Sequence, residues 1–286
     1  MTIQKFLDPK NDVAFKKIFG TEKNKDILIG FLNDMILFKG GKPIVEVSFL
    51  KTIQDPEISS KKTSVVDIFC TDQENNTYIV EMQTSPHKGF TKRAQYYASK
   101  AYCNQMNVGG RYENLKEIIF LAIAKHTMFP DKKAYKSDHI ILDKDTKEHN
   151  LKDFSFTFLE LEKFNTPKDE LSSMIEKWAY FFKYAPETTP EELKNIMGGD
   201  AIIQRAYEEL DRFYWTEEEL FAYEDATKKD WDYEAAMEFK FDEGKAEGKI
   251  EIVKAALKKN IDIQIIHELT TLSVEEIQNI KKLDKI

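Results

Sequence analysis

From the start of the chain the apolar positions recur at helical spacing. Val13, Phe15, Ile18 and Phe19 predict a short helix over residues 9–20, stopped at Gly20. Ile27, Leu28, Phe31, Leu32, Met35 and Ile36 repeat every three or four residues and predict a second helix, ended by Gly40, Gly41 and Pro43. Thr21 reads as the N-cap of that helix, with Glu22 in its first turn. The pattern then changes to β-branched and aromatic runs at 44–50, 64–71 and 77–84. The polar stretch from Asp72 to Asn76 joins the last two as a hairpin loop. Helical spacing returns over 90–107, ending at Gly109 and Gly110. Residues 117–124, EIIFLAIA, are almost continuously apolar, the pattern of a strand covered on both faces. Two further strands are predicted at 139–144 and 154–161, the second with Phe154, Phe156 and Phe158 in alternation.

This order of elements implies an α/β fold, a mixed sheet flanked by helices. From about residue 166 the pattern becomes helical. Leu171, Met174, Ile175, Trp178, Phe181 and Phe182 form one wide apolar face. Helices are predicted at 190–197, 200–213 and 216–240, and two short ones at 262–270 and 274–282. Ser273 and Glu276 make a capping box for the last. The expected division is an α/β domain at 1–165, a helical region at 166–243, and a helical tail at 244–286 that serves assembly or an accessory role.

Composition narrows the class. Hydrophobic residues make up 42% and aromatics 12% of 286 residues, which excludes global disorder. No apolar run approaches the roughly 18–20 residues a membrane helix needs, and the first residues, MTIQKFLDPKND, lack the apolar core of a secretory signal. Cys70 and Cys103 make no disulfide framework, so a cytoplasmic location is expected. The net charge of −8 argues against a general nucleic-acid binder. Yet residues 1–110 carry 15 Lys and Arg against 12 Asp and Glu, a net of +3, and the remainder 27 against 38, a net of −11. The first third can therefore face a polyanion.

The candidate chemistry centres on Asp67, Glu81 and Gln83. The two carboxylates fall in consecutive strands, inside apolar runs where a charge is costly unless paired or bound to a cation. Glu81 and Gln83 are two apart and share a strand face. Adjacent strands presenting carboxylates can hold one hard cation, and Mg²⁺ suits a site with few protein ligands. The plainer alternative is that each acid points to solvent from a half-exposed sheet. On the helix at 90–107, Arg93, Tyr96, Tyr97 and Lys100 share one face, beside Lys92. They suit phosphate contact and base stacking, or else a core aromatic pair edged by solvated cations. The segment from Gly244 to Ile250 fails as a phosphate loop, because its glycines are too close and Ile250 replaces the hydroxyl ligand. The five histidines are scattered without zinc-type spacing.

Asp67 followed after thirteen residues by Glu81-Met82-Gln83 resembles the D-x(n)-E-x-K signature of the PD-(D/E)XK nuclease superfamily, in its E-x-Q form. The N-terminal run FLDPKNDVAFKKIFG, the VEMQ strand, the helix TKRAQYYASKAY and GGRYENLKEIIFLAI follow in the expected order. Over roughly 5–165 the chain is similar to the Rpn-type recombination-promoting nucleases, also described as PD-(D/E)XK family transposases. The resemblance implies a restriction-endonuclease-like fold and metal-dependent hydrolysis of DNA, linked to recombination or transposition; little sequence specificity is expected, because the sequence shows no base-reading element. It implies that Asp67 and Glu81 bind Mg²⁺, with Mn²⁺ as substitute, and that Gln83 stands where the superfamily's Lys would be. Asp12 matches an N-terminal acidic position, as a further ligand or a helix cap. Arg93, Lys92, Lys100 and Tyr97 are the expected DNA contacts. A catalytically degenerate DNA-binding or recombination-accessory protein, and a protein-interaction scaffold, are the alternatives. Self-association through the helical C-terminal region is a further expectation.

Overall fold

The computed structural model describes residues 4–36, 42–54, 64–106 and 110–284. The expected helix stops at Gly40, Gly41 and Gly109 lie outside them. Two helices open the chain, α1 (Asp12–Phe19) and α2 (Lys25–Met35). Five strands follow: β1 (Val47–Phe49), β2 (Ile53–Gln54), β3 (Ser64–Val65), β4 (Ile68–Asp72) and β5 (Thr77–Gln83). After α3 (Phe90–Cys103) come β6 (Ile118–Ala124), β7 (Lys136–Ile140) and β8 (Phe154–Glu160). The rest is helical: α4 (Met174–Tyr184), α5 (Pro190–Met197), α6 (Ala201–Leu210), α7 (Glu217–Lys258), α8 (Ile263–Thr270) and α9 (Val274–Leu283).

Six strands form one mixed sheet in the order β1-β4-β5-β6-β8-β7, and β2 pairs with β3 in a separate ladder. β5–β6 and β6–β8 are parallel, with α3 crossing between β5 and β6. The other pairs are antiparallel. The β4–β5 hairpin forms where the polar loop predicts it. The Asp72 carboxylate accepts the backbone N–H groups of Glu74 and Asn76 and the Tyr78 hydroxyl, and Asn75 takes the left-handed turn at φ 65°. β7 begins and ends earlier than its expected 139–144. Asp143 accepts the N–H groups of Asp145 and Thr146, and this turn ends the strand's extended course. Thr21 does not cap α2; its hydroxyl donates back to the Lys17 carbonyl at the end of α1.

The sheet separates two cores, and strand alternation assigns residues to each. Tyr78 and Val80 of β5, with Ile119, Leu121 and Ile123 of β6, face α1, α2, α4 and α6. Ile79, Phe120 and Ala122 face α3, packing on Phe90, Ala94, Tyr97 and Ala98. β6 is buried along its whole length, as its continuous apolar run predicts. On the first face, Phe31 meets Trp178 edge-on at 5.1 Å, and Phe181 meets Tyr207 at 5.0 Å. Residues of the helical half thus complete the core begun by α1 and α2. Gly30 is where α2 approaches α6: a Cβ there would stand 2.7 Å from an Ile202 methyl.

The chain divides into two compact units, 1–226 and 227–286. The second has its own small core of Val253, Ala256, Leu257, Ile266 and Ile277. Its last helix carries the expected capping box between Ser273 and Glu276. The separate helix expected at 216–240 and the charged stretch after it are one continuous helix, α7.

Candidate active site

Asp67 sits at a break in the sheet rather than within a strand. The chain leaves the β2–β3 ladder at Val65 and joins the main sheet at Ile68. At that break the Asp67 carboxylate accepts the Met82 N–H of β5, at 2.9 Å. The Asp67 backbone N–H is close enough to the Glu81 carboxylate to oppose the rise of its pKa. The two acids thus meet across the hairpin, with Asp67 bonded to the β5 backbone.

Glu81 is 6% exposed, and its Oε1 is buried without a hydrogen-bond partner. Burial raises the pKa of both acids. For Glu81 the nearby Asp67 charge adds to this, and its carboxyl is pushed up to about 8. Arg93 and Lys16 oppose the shift at both acids. A desolvated pair of carboxylates with an orphan oxygen is a donor set that suits a hard divalent cation. The residues present fit such an ion. Among the described residues no group of three or more His, Cys, Asp or Glu side chains forms a metal cage. Asp12 is exposed and pairs with Lys16 at 2.6 Å, near enough to Asp67 to raise its pKa.

Gln83 lies on the same strand face as Glu81, towards α3. Its Oε1 accepts from Arg93 Nη2 at 2.6 Å, and its Nε2 donates to the Ser85 carbonyl at 2.5 Å. Their neighbours on β6 are Ala122 and Ala124. Gly89, at φ 87°, makes the turn that starts α3 and sets Arg93 one turn in. The Arg93 guanidinium lies 4.8 Å from the Phe90 ring centroid and 5.9 Å from that of Tyr97.

The structure therefore gathers Asp67, Glu81, Gln83, Arg93 and Tyr97. It separates the two tyrosines: Tyr97 is 9% exposed and feels both carboxylates, whereas Tyr96 is 45% exposed. Lys100 is half-buried seven residues beyond Arg93, and Lys92 is on the exposed side of α3. Lys16 belongs to the same electrostatic neighbourhood and was not singled out from the sequence. Its signal was present, four residues after Asp12 on one helix face.

Comparison with curated proteins and with solved structures returned no match. A family model described as "PD-(D/E)XK nuclease family transposase" matches residues 9–240, a span that contains every residue of this site. The chain belongs to the PD-(D/E)XK nuclease family transposases.

Proposed function

We propose that this protein is a metal-dependent DNA endonuclease that hydrolyses phosphodiester bonds with little sequence specificity, in recombination or transposition. The observation that carries the reading is the Asp67–Glu81 pair, which meets across the hairpin with a buried, unpartnered Glu81 oxygen. Asp67 and Glu81 would hold Mg²⁺, or Mn²⁺ in its place. Such an ion, when bound, polarises the phosphate and lowers the pKa of a bound water. The chain's own contribution is to hold both acids in place and to shield them from bulk water, an environment that favours their charged forms only once a cation is bound. Tyr97, Lys100 and Lys92 on α3 are proposed to contact the DNA backbone, which is read by charge rather than by base.

The family supports DNA as the substrate class, and so does the basic balance of residues 1–110. Among the described residues no helix is long and apolar enough to cross a membrane. We propose a cytoplasmic location, which the free thiols of Cys70 and Cys103 suit. Self-association through the C-terminal helices is likewise a proposal, supported by the exposed Trp231, Phe239 and Phe241 of α7.

The test is cleavage of supercoiled plasmid with Mg²⁺, Mn²⁺ or chelator, using wild type, Asp67→Ala and Glu81→Ala. Metal-dependent nicking lost in both variants is the expected result. Equal rates for wild type and Glu81→Ala would mean that the cutting is contamination. Salt-sensitive DNA retention without cleavage would point instead to a degenerate accessory protein.

A further inference from the structure

The E-x-Q form leaves a neutral amide where the resemblance expects a cation. The site nevertheless contains one, brought in from α3. Gln83 is engaged at both ends of its amide, by Arg93 and by the Ser85 carbonyl. An amide used in this way is a poor candidate for orienting a water. Arg93 is the reverse case. One of its donors, Nη2, is spent on Gln83, and its Nε is buried without a partner. A guanidinium donor held out of water is unfavourable until an anion takes it. The group is also fixed in direction, stacked against Phe90 and Tyr97 and tethered at 2.6 Å by the amide. Its charge acts on both carboxylates, yet among the described residues no ion pair within 4.0 Å joins it to either.

The same α3-side face of the sheet therefore holds an orphan acceptor, Glu81 Oε1, and an orphan donor, Arg93 Nε. A phosphate there would accept from Arg93 Nε, while a cation held by the acids would take up the Glu81 oxygen. We propose that Arg93 supplies the positive charge at the scissile phosphate, and that Gln83 is a positioning residue that holds the guanidinium there. The inference rests on the nuclease reading. It makes Arg93 a catalytic residue rather than one more contact to the DNA backbone, and it reverses the roles that the position of Gln83 in the motif suggests. In the transition state, charge grows on the non-bridging oxygens, and a donor fixed beforehand acts most strongly there.

The experiment measures single-turnover plasmid cleavage in Mg²⁺, alongside equilibrium binding of a short DNA duplex in Ca²⁺ by fluorescence anisotropy. The proteins are full-length wild type, Glu81→Ala, Arg93→Gln, Arg93→Lys, Gln83→Leu and the double variant Arg93→Gln with Gln83→Leu. Removing one preorganised donor typically lowers the rate by about 100–1,000-fold. Arg93→Gln should show that loss while its affinity for the duplex stays within about fivefold of wild type. Arg93→Lys should recover at least tenfold of the loss, because it restores charge but not the fork. Gln83→Leu should lower the rate in the same direction, and the double variant should be no slower than Arg93→Gln alone, since Gln83 acts through Arg93. A merely structural Arg93 would not be rescued by Lys. The proposal is overturned if Arg93→Gln cuts at the wild-type rate, if it loses affinity with an unchanged rate at saturation, or if the two losses multiply. The nuclease reading itself fails, and this inference with it, only if wild type is no faster than Glu81→Ala.

Discussion

Glu81 is the residue at which the physical chemistry is most constrained. Its carboxyl is an acid whose pKa is raised by burial and by Asp67, so the metal-free folded state holds a proton that the unfolded chain releases near the ordinary glutamate value. Unfolding between about pH 4.5 and 8 then gives up that proton, and stability falls as the pH rises through this window. The slope is at most about 1.4 kcal/mol per pH unit for one group. Glu81→Gln should remove this slope and raise the thermal midpoint at pH 8 in chelator, while abolishing cleavage. Melting curves from pH 4.5 to 8.5 check it; an equal slope in the variant would show that Glu81 is ionised in the metal-free fold. Divalent metal should stabilise wild type most at the alkaline end, where the acids are charged, and should leave Glu81→Gln nearly unmoved. Differential scanning calorimetry with and without Mg²⁺ reads this directly.

At the level of elements, the site depends on how tightly the helices press on the sheet. Phe31 of α2 packs against Phe19, Trp178 and Phe182, and is fully buried. Phe31→Ala should cost about 3–5 kcal/mol, since the lost contacts leave a cavity between α2 and α4. Gly30 sets the approach of α2 to α6. Replacing it with Ala gains up to about 1 kcal/mol of helix propensity. The new methyl would overlap Ile202, and overpacking typically costs about 1–3 kcal/mol. The clash should win, and Gly30→Ala should lower the denaturation midpoint; a raised midpoint would mean that Ile202 turns aside freely. Buried polar side chains impose similar limits. Trp178 Nε1 donates to the half-buried Asp34 at 2.8 Å, so a change at Asp34 leaves the buried indole N–H unsatisfied.

For the whole molecule, the division into two units makes a prediction about independence. Among the described residues, neither core of the first unit includes one beyond 226, and the core of the second includes none before 253. A chain ending after residue 226 should therefore keep the sheet, the carboxylate pair and the metal-dependent thermal shift. Circular dichroism and melting of that fragment test it; a fragment that fails to fold cooperatively would show that 227–286 is part of the folding unit. Ile277→Ala should conversely speed hydrogen exchange in α8 and α9 and leave exchange in β5 and β6 unaltered.

Most of the elements, and the family, are legible in the chain's own pattern. Period and composition mark α1, α2, β5, β6, β8 and α3 within a few residues, because their cores need apolar side chains at intervals that few other patterns supply. Asp67, Glu81 and Gln83 stood out for a related reason: polar groups inside apolar runs call for a partner. Other facts depend on contacts between residues far apart in the chain. Asp67 occupies a break, because the chain leaves one ladder just before it and joins another just after it. Trp178 and Tyr207 join the core of α1 and α2, though a helical face alone does not name what covers it. Tyr97 is in and Tyr96 is out, a difference of one helical step that only the position of the sheet decides. The engagement of Gln83 by Arg93, and the nearness of Lys16 to both acids, arise where a strand and two helices meet. Charge and hydrogen bonding act across space, so spacing along the chain could propose these neighbours but could not choose among them.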